Sequence, residues 1–311
     1  MDIQTSEAQA SGARDPLERA ARLANHFNGV GRHDEAEREA IRGLSLAPDD
    51  LVLHVELARS FMGRKRWEDA DTVLQRLLAL APDFSPAFNL MCIVRTEQGS
   101  YAEAEKAVLE ALRLDPQWAS PYEVYGDLMT RTSHLDKAKK LYERARALNP
   151  EDAELPSKIA LVETQLNRIG PAHAAAAAGL ALGPAEALAH ASRGNAHLAG
   201  GRPFRARADF REALRIDPAN TSLEEAWLAA DTACRVVYLP MYYWTLLIER
   251  LPGQQFLVWG IFLAFTFGAR SLGIPPEFVG GVAIAYIALC VYTWVANPIV
   301  KVWKRIVPPK L

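Results

Sequence analysis

Apolar and small residues return at fixed positions every 34 residues along about two thirds of the chain. In each of six successive windows, position 8 is small, position 20 is alanine, and position 24 is apolar or aromatic. A Gly, Ser or Pro breaker separates the two halves of each window, which predicts two helices joined by a short turn. The small residues let these two helices approach closely. The windows are residues 17–50, 51–84, 85–118, 119–152, 153–186 and 187–220.

A proline at position 32 closes every window. Because proline disfavours helical geometry at the residue before it, each one marks the end of a second helix. The 34-residue period, the small position 8, the alanine at position 20 and this proline resemble the tetratricopeptide repeat family over residues 17–220. The resemblance implies an all-α fold, a TPR-type α-solenoid of six helix-turn-helix repeats that bury their apolar faces against neighbours. The prolines are Pro48, Pro82, Pro116, Pro150, Pro184 and Pro218.

The segments that flank the repeats differ from them. Residues 1–16 are predicted to form a flexible N-terminal tail. After the last window, Thr221 and Glu224 fit a capping box, which predicts a helix that begins near Ser222. A solenoid has to cover its last apolar face, so we interpret this segment as a C-terminal capping helix.

Residues 221–250 contain the capping helix and, after it, a second segment at residues 236–248. The residues of this second segment are mostly apolar, but they are interrupted by Pro240 and are too short to span a bilayer. Two interpretations stay open at this point. The segment either lies in the membrane interface as an amphipathic stretch or packs on the capping helix.

Two uncharged stretches follow in residues 251–311. Residues 251–269 and 278–300 are 19 and 23 residues long, and each is long enough to cross a bilayer as a helix. They predict a two-span transmembrane hairpin, followed by a basic C-terminal tail. The alternative is a pair of buried helices in a soluble domain. Gly281 and Ala285 are spaced for close helix contact, which would allow a homo-oligomer through the hairpin.

The formal net charge of −2 conceals two segments of opposite sign. Residues 235–311 hold seven Lys or Arg and two acidic residues, so they carry +5, and the rest of the chain carries −7. Basic residues flank the outer ends of both predicted spans, which places the repeats and both termini in the cytoplasm. The Ala- and Arg-rich composition, with no apolar leader, favours a bacterial inner (cytoplasmic) membrane. The overall charge balance argues against a nucleic-acid partner.

Residues that could carry chemistry are scattered. The sequence contains no H-E-x-x-H, no phosphate-binding glycine loop, no G-x-S-x-G and no Cys-x-x-Cys motif. Cys92, Cys234 and Cys290 are too far apart for a disulfide framework, and we expect structural roles for them. His190 and His197 could share a helical face but lack a third ligand for a metal. The sequence therefore predicts no enzyme activity, no cofactor and no metal.

The resemblance also implies a binding surface. In tetratricopeptide domains the first helix of each repeat lines a groove that holds a peptide or a segment of a partner protein. In this sequence the groove positions predict an apolar centre with polar groups on both sides. They do not form the set of Lys, Asn and Arg residues that clamps the acidic C-terminus of heat-shock chaperones in this family, because the corresponding positions hold Ala21, Asn25, Glu56, Pro86 and Leu90. The predicted groove residues are Arg22, Asn25, Asn28, Glu56, Arg59, Asn89, Leu90, Ile93, Glu123, Val124, Asp127, Lys158 and Asn195.

Together these patterns predict a membrane-anchored scaffold or adaptor that binds a protein or peptide partner in a cytosolic groove. A second hypothesis assigns the activity to the hairpin. In that case the chain would be an accessory subunit of a membrane translocation, channel or envelope-assembly complex. The hairpin would then be its active or oligomerising part.

Overall fold

The structure is a computed structural model of the 311-residue chain. It describes residues 3–235 and 238–249, and beyond them residues 264–265, 268, 275, 277–285, 287–288 and 292. The regular structure in these residues is helical. The division between two compact units falls between Glu151 and Asp152.

Each repeat is built from two consecutive helices. In chain order the helices are α1 (Ile3–Gly29), α2 (His33–Leu46), α3 (Leu51–Gly63), α4 (Trp67–Leu80), α5 (Ser85–Glu97), α6 (Tyr101–Leu114), α7 (Ala119–Arg131), α8 (Leu135–Leu148), α9 (Glu154–Gln165), α10 (Ile169–Leu182), α11 (Ala187–Ala199), α12 (Pro203–Ile216), α13 (Thr221–Ala233) and α14 (Leu239–Glu249).

The turn between the two helices of each repeat contains one residue with a positive φ, always at position 15 of its window. Glycine adopts this left-handed geometry without strain, whereas other residues occupy it at a cost. The nearby glycines Gly63 and Gly170 do not take this position, since they are the last residue of α3 and the second residue of α10. The six residues are Gly31, Lys65, Gly99, Ser133, Asn167 and Gly201.

The first unit contains helices α1–α8, which form four repeats. Within each repeat the two helices pack against each other, and α2, α4 and α6 also contact the first helix of the following repeat. The first helices α1, α3, α5 and α7 contact one another in order. Small residues permit this packing: the alanines at position 20 in these repeats are fully buried, as are Ala58 and Cys92 at position 8.

The second unit contains helices α9–α14. Here α9 contacts both α10 and α11, and α12 contacts α11 and α13. Helix α13 lays Leu223, Trp227 and Ala230 against Phe210 and Leu214 of α12, and these residues form one buried apolar cluster. The helix therefore covers the apolar side of the last repeat, which repeat proteins require at an exposed end.

Helix α13 begins differently from its predicted form. Its N-cap is Asn220, whose side-chain oxygen accepts hydrogen bonds from the backbone N–H groups of Ser222 at 3.2 Å and Leu223 at 3.3 Å. Thr221 is the first residue of the helix, so the predicted capping box at Thr221 is wrong. The amide of Asn220 also donates to Asp217 at 3.1 Å, which holds the side chain in its capping position.

The N-terminal segment also differs from its prediction. The sequence predicts a flexible tail over residues 1–16, whereas α1 begins at Ile3 and continues to Gly29. Ala, Gln and Glu residues in the segment favour a helix, which extends the first helix of repeat one backwards.

Helix α14 contacts the end of α11 and the turn that follows it. The hydroxyl group of Tyr242 donates to the carbonyl oxygen of Leu198, and that of Tyr243 donates to the carbonyl oxygen of Gly201 at 3.2 Å. Pro240 is the second residue of α14, a position where proline is tolerated. These two hydrogen bonds do not decide between the membrane interface and the capping helix as the contact surface of residues 236–248, so both interpretations stay predictions.

No helix in the part of the chain that the structure describes is long and apolar enough to cross a membrane. The predicted span 251–269 lies almost entirely outside the described residues. Of the predicted span 278–300, only residues 278–285, 287–288 and 292 are described, and they are helical. The hairpin therefore stays a prediction.

Candidate partner-binding surface

The first helices of the first unit form the candidate surface. We call the side of α1, α3, α5 and α7 that carries the predicted groove residues the first-helix face. Lys158 on α9 and Asn195 on α11 belong to the second unit, where these two helices contact each other. The residues of the first-helix face are Arg22, Asn25, Asn28, Glu56, Arg59, Asn89, Leu90, Ile93, Glu123, Val124 and Asp127.

These eleven residues are not equally accessible. The side chain of Leu90 is only 7% exposed, and Glu56 and Asn89 are also buried. Asn89 and Leu90 lie on α5, which packs against helices of its own repeat and of both neighbouring repeats. These neighbours cover part of the side of α5 that the family pattern assigns to the groove. The accessible apolar residues at the centre are therefore Ile93 and Val124, both of which are half-buried.

One end of the face is organised around the buried carboxylate of Glu56. The amide of Asn28 donates to the side-chain oxygen and to the backbone carbonyl oxygen of Glu56, both at 2.9 Å. The guanidinium group of Arg59 lies 3.4 Å from the same carboxylate and is half exposed. A buried charge needs such partners, so Glu56 ties α1 to α3 while Arg59 presents positive charge at the surface.

The centre of the face is held by an amide. The side-chain nitrogen of Asn89 donates to the hydroxyl oxygen of Ser120 at 3.0 Å, which links α5 to α7. Asn89 therefore has a structural contact below the surface. Ile93 and Val124 lie on these two helices and offer apolar side chains to a ligand.

The other end of the face is acidic. The hydroxyl group of Tyr142 donates to the exposed carboxylate of Asp127 at 2.7 Å. Burial raises the pKa of Tyr142, and the negative charge of Asp127 raises it further, so the phenol stays protonated and remains a donor. Glu123 lies one turn before Asp127 on the same helix and is half-buried.

The cysteines of the described residues, Cys92 in repeat three and Cys234 at the end of α13, are buried thiols. Burial raises the pKa of Cys92 to about 12, and it also raises the pKa of Cys234. Both are free cysteines. A thiol is reactive mainly as the thiolate, so these pKa shifts make both side chains poor nucleophiles.

A polar cluster in the second unit escaped the sequence analysis. The rings of His173 and His197 lie 4.7 Å apart, and Nε2 of His197 is 3.7 Å from Oδ2 of Asp209. Asp209 also accepts two hydrogen bonds from Arg193. His190, which the sequence paired with His197, instead contacts the carbonyl oxygen of Pro184.

The cluster was missed because its members come from three helices and from unrelated positions of two windows. Burial is the main cause that lowers the pKa values of His173 and His197, and the positive charge of Arg202 lowers both further. Within the described residues, no three His, Cys, Asp or Glu side chains are placed to hold a metal ion.

Comparison with known sequences identifies the repeats. Residues 29–91 match one sequence model of the tetratricopeptide repeat, and residues 187–220 match another. The second match coincides with the sixth window of the sequence pattern. The chain therefore contains tetratricopeptide repeats. Among curated proteins, none matches this chain.

Solved structures share the fold. A chain of the APC/C hetero-tetramer Cut9–Hcn1 is 17% identical with a TM-score of 0.58; the match covers 70% of this chain and 45% of that one. Pseudomonas aeruginosa PilF is 19% identical with a TM-score of 0.54, covering 69% and 97%. A tetratricopeptide repeat protein from Parabacteroides merdae is 17% identical with a TM-score of 0.59, covering 69% and 84%.

At these identities the similarity establishes the fold, which is an all-α TPR-type solenoid of helix-turn-helix repeats. The chain spans less than half the length of the Cut9–Hcn1 chain that it matches. Tetratricopeptide repeats generally mediate protein–protein interaction, and they bind protein or peptide partners. The presence of these repeats therefore indicates a role in binding a protein or peptide.

Proposed function

We propose that this protein is a membrane-anchored scaffold that binds a segment of a partner protein on the first-helix face. One observation carries the proposal. Ile93 and Val124 are accessible apolar side chains on neighbouring helices, and charged groups of opposite sign lie at the two ends of the same face. An apolar centre with a polar rim is the usual organisation of a protein–protein interface.

The charges at the two ends suggest how a partner segment would lie. Arg22 and Arg59 are exposed at the α1–α3 end, and Asp127 is exposed on α7. Apolar side chains of the partner would contact Ile93 and Val124 and contribute most of the affinity. The exposed charges would mainly select the orientation of the partner, because charges at the rim of an interface contribute little to affinity.

The proposed anchor is the hairpin of residues 251–269 and 278–300. Both stretches are uncharged and long enough to span a bilayer. In the described part of the second stretch, Phe278, Ile284 and Ile287 are exposed by 60%, 69% and 59%. Large apolar side chains with this degree of exposure favour a location in contact with lipid. The basic residues outside the hairpin favour a cytoplasmic position for the repeats at a bacterial inner membrane.

Substitution at the centre of the face tests the binding proposal. Ile93→Lys should lower partner recovery from crosslinked native membranes by roughly tenfold or more, since it places a charge in a contact worth about 1.5–3 kcal/mol. Partners would be identified and quantified by mass spectrometry. Circular dichroism should show an unchanged helix content, because Ile93 is only half-buried.

Leu109→Lys is the matched control. Leu109 is a large apolar residue of the neighbouring helix α6, and it is 49% exposed away from the candidate residues. Its substitution should leave partner recovery unchanged. Equal recovery with Ile93→Lys and the unsubstituted chain would contradict the proposed binding face, and so would an equal loss with both variants.

A further inference from the structure

The second helix of repeat six carries a basic outward side. Phe204, Ala208, Arg211 and Arg215 are exposed at spacings of four, three and four residues, which places them on one stripe of α12. Arg205 is exposed beside this stripe. Phe204 is a large aromatic residue that is 56% exposed. The opposite side of the helix is buried in the second unit. We call the outward side, together with Arg202 at the N-cap, the basic face of α12.

Apart from Arg215, which pairs with Glu212 of the same helix at 2.6 Å, the arginines of this region fall into two groups. One group has acidic partners: Arg207 and Arg235 both pair with Asp231 on α13, at 3.1 and 3.0 Å. The second group consists of Arg202, Arg205 and Arg211, whose side chains form no hydrogen bond or ion pair among the described residues. The first group stabilises the packing of α13 on α12. The second group leaves three positive charges available to a ligand.

The basic face lies beside the helix that leads towards the predicted membrane segment. The hydroxyl groups of Tyr242 and Tyr243 bind the carbonyl oxygens of Leu198 and Gly201, which immediately precede the basic face. Helix α14 ends at Glu249, two residues before the uncharged stretch 251–269 begins. Tyr243 is itself half exposed. Helix α14 therefore binds residues close before the basic face in sequence, and it ends two residues before the predicted membrane segment.

We propose that the basic face of α12 binds the surface of a bilayer that contains anionic lipid headgroups. The inference rests on the proposed membrane anchor, which would hold the face close to the bilayer. Guanidinium groups bind phosphate oxygens in bidentate geometry, and cations are attracted to the negative surface of an anionic leaflet. Phe204 would insert its ring at the interface between headgroups and acyl chains, as aromatic residues of interfacial helices do.

A lipid surface fits this face better than an acidic protein or a nucleic acid does. Arg202 and Arg205 flank the exposed Phe204 in sequence, and the exposed Tyr243 binds the carbonyl oxygen of Gly201, the residue before Arg202. Arginines beside exposed aromatic residues are typical of interfacial segments. The chain as a whole has a net charge of −2, so it lacks the basic excess of a nucleic-acid binder. Binding to lipid would also fix how the second unit lies against the membrane.

Photocrosslinking of the full chain tests the inference. Benzoylphenylalanine introduced at Ala208 would be irradiated after reconstitution into vesicles of phosphatidylcholine alone or with about 30% phosphatidylglycerol. Lipid adducts on the α12 peptide would be quantified by mass spectrometry. We expect several-fold more adduct in the anionic vesicles, with a decrease when salt is raised from about 0.1 to 0.5 M, because salt screens the attraction.

Two controls are matched to this experiment. Ala174 occupies the same repeat position in α10 and is also exposed, so the crosslinker there should form little adduct in either vesicle. The triple variant R202Q/R205Q/R211Q should lose the increase that phosphatidylglycerol causes. The variant R19Q/R76Q/R146Q removes the same amount of charge from the first unit, at three exposed arginines that form no ion pair among the described residues. It should retain the increase in adduct that phosphatidylglycerol causes.

The outcomes separate the two proposals. Full chain that fails to float with either vesicle would overturn the membrane anchor. Full chain that floats but forms equal adduct at Ala208 in both vesicles would overturn the basic face as a lipid site. Crosslinks from Ala208 to an acidic protein or to RNA in native membranes, in place of lipid, would also overturn it.

Discussion

At the residue scale, positions 8 and 24 of the repeats are matched in size. An added Cβ at Gly126 would lie 2.4 Å from Cε1 of Tyr142, and one at Gly194 would lie 3.0 Å from the ring of Phe210. Glycine occurs at position 8 only in these two repeats, which have an aromatic residue at position 24. The other four repeats combine Ala or Cys with an aliphatic residue. The residues at positions 8 and 24 therefore fill the space between the two helices together, so that a larger residue at one position requires a smaller one at the other.

Gly126→Ala should destabilise the first unit by about 1–3 kcal/mol, because the added methyl group overlaps the ring of Tyr142 in a packed core. The measurement is the free energy of unfolding in denaturant. G126A/Y142L should cost less than the sum of its single substitutions, since it recreates the Ala58 and Leu74 combination of repeat two.

Gly170→Ala is the control for this prediction. An added Cβ at Gly170 would meet nothing within 4 Å, so the substitution should be neutral or slightly stabilising. An unchanged free energy of unfolding for G126A would contradict the packing argument, as would strictly additive effects in the double variant.

The half-buried pair of His173 and His197 predicts a pH dependence of the second unit. The pKa values of His173 and His197 lie below the ordinary value of 6.5 in the folded chain, mainly through burial. The unfolded chain therefore binds more protons below pH 6.5, and stability falls as the pH decreases through that range. Arg193 and Arg202 oppose protonation, whereas Asp209 favours it.

The slope is measurable as the denaturant midpoint of the second unit between about pH 7.5 and 5.5. H173N/H197N should flatten this slope whatever its effect on the stability at neutral pH. H26N, at an exposed histidine of α1, should leave it unchanged. A slope that persists in the double variant would assign the effect to other groups.

The candidate site was only partly predictable at this scale. The resemblance placed Ile93, Val124 and Arg59 on the first helices, and they are accessible there. It could not tell that Leu90 and Glu56 lie below the surface, because their burial depends on how the helices on both sides pack. Leu90 is consequently a poor test of binding, since a charge at this position would unfold the repeat.

At the element scale, the repeat period predicted the six helix pairs, whereas individual helix ends depended on local geometry. The left-handed turn residue is Lys65 in repeat two and Asn167 in repeat five, although nearby glycines appeared to be better candidates. Asn220 and Thr221 are both good N-cap residues, and the sequence alone did not choose between them. The choice followed from the extended backbone of Asn220 and its two accepted hydrogen bonds.

Asn220→Ala should lower the stability of the second unit by about 1 kcal/mol, because two backbone N–H groups of α13 lose their acceptor. Thermal and denaturant unfolding would measure the change. Thr221→Ala is the adjacent control and should have a much smaller effect, since Thr221 is not the N-cap. If T221A proved to be the more damaging substitution, the capping assignment would be incorrect.

At the scale of the whole molecule, fold and function are encoded in different ways. Each window repeats the same small and apolar positions, so the fold is specified six times and was predictable from the pattern. The binding face, the histidine cluster and the basic face of α12 depend on residues that do not repeat. The charge of the chain also varies by segment, because residues 235–311 carry +5 and the rest of the chain carries −7.

Truncation at two places should separate the roles of the segments that follow the repeats. A chain that ends at residue 249 keeps Trp227 and the apolar cluster under α13, so the free energy of unfolding of its second unit should equal that of the full chain. A chain that ends at residue 220 exposes Phe210 and Leu214 and should lose at least about 3 kcal/mol, the cost expected for removing a buried tryptophan alone.

Membrane fractionation of the same three chains tests the anchor. The full chain should stay in the membrane pellet after alkaline carbonate treatment, because two apolar spans are removed only by detergent. The chain that ends at residue 249 should leave the pellet, since α14 and the basic face would bind lipid only through the reversible contacts of an interface. Release of the full chain by carbonate would show that residues 251–311 do not anchor it, whereas the folding of the repeats would be unaffected by that result.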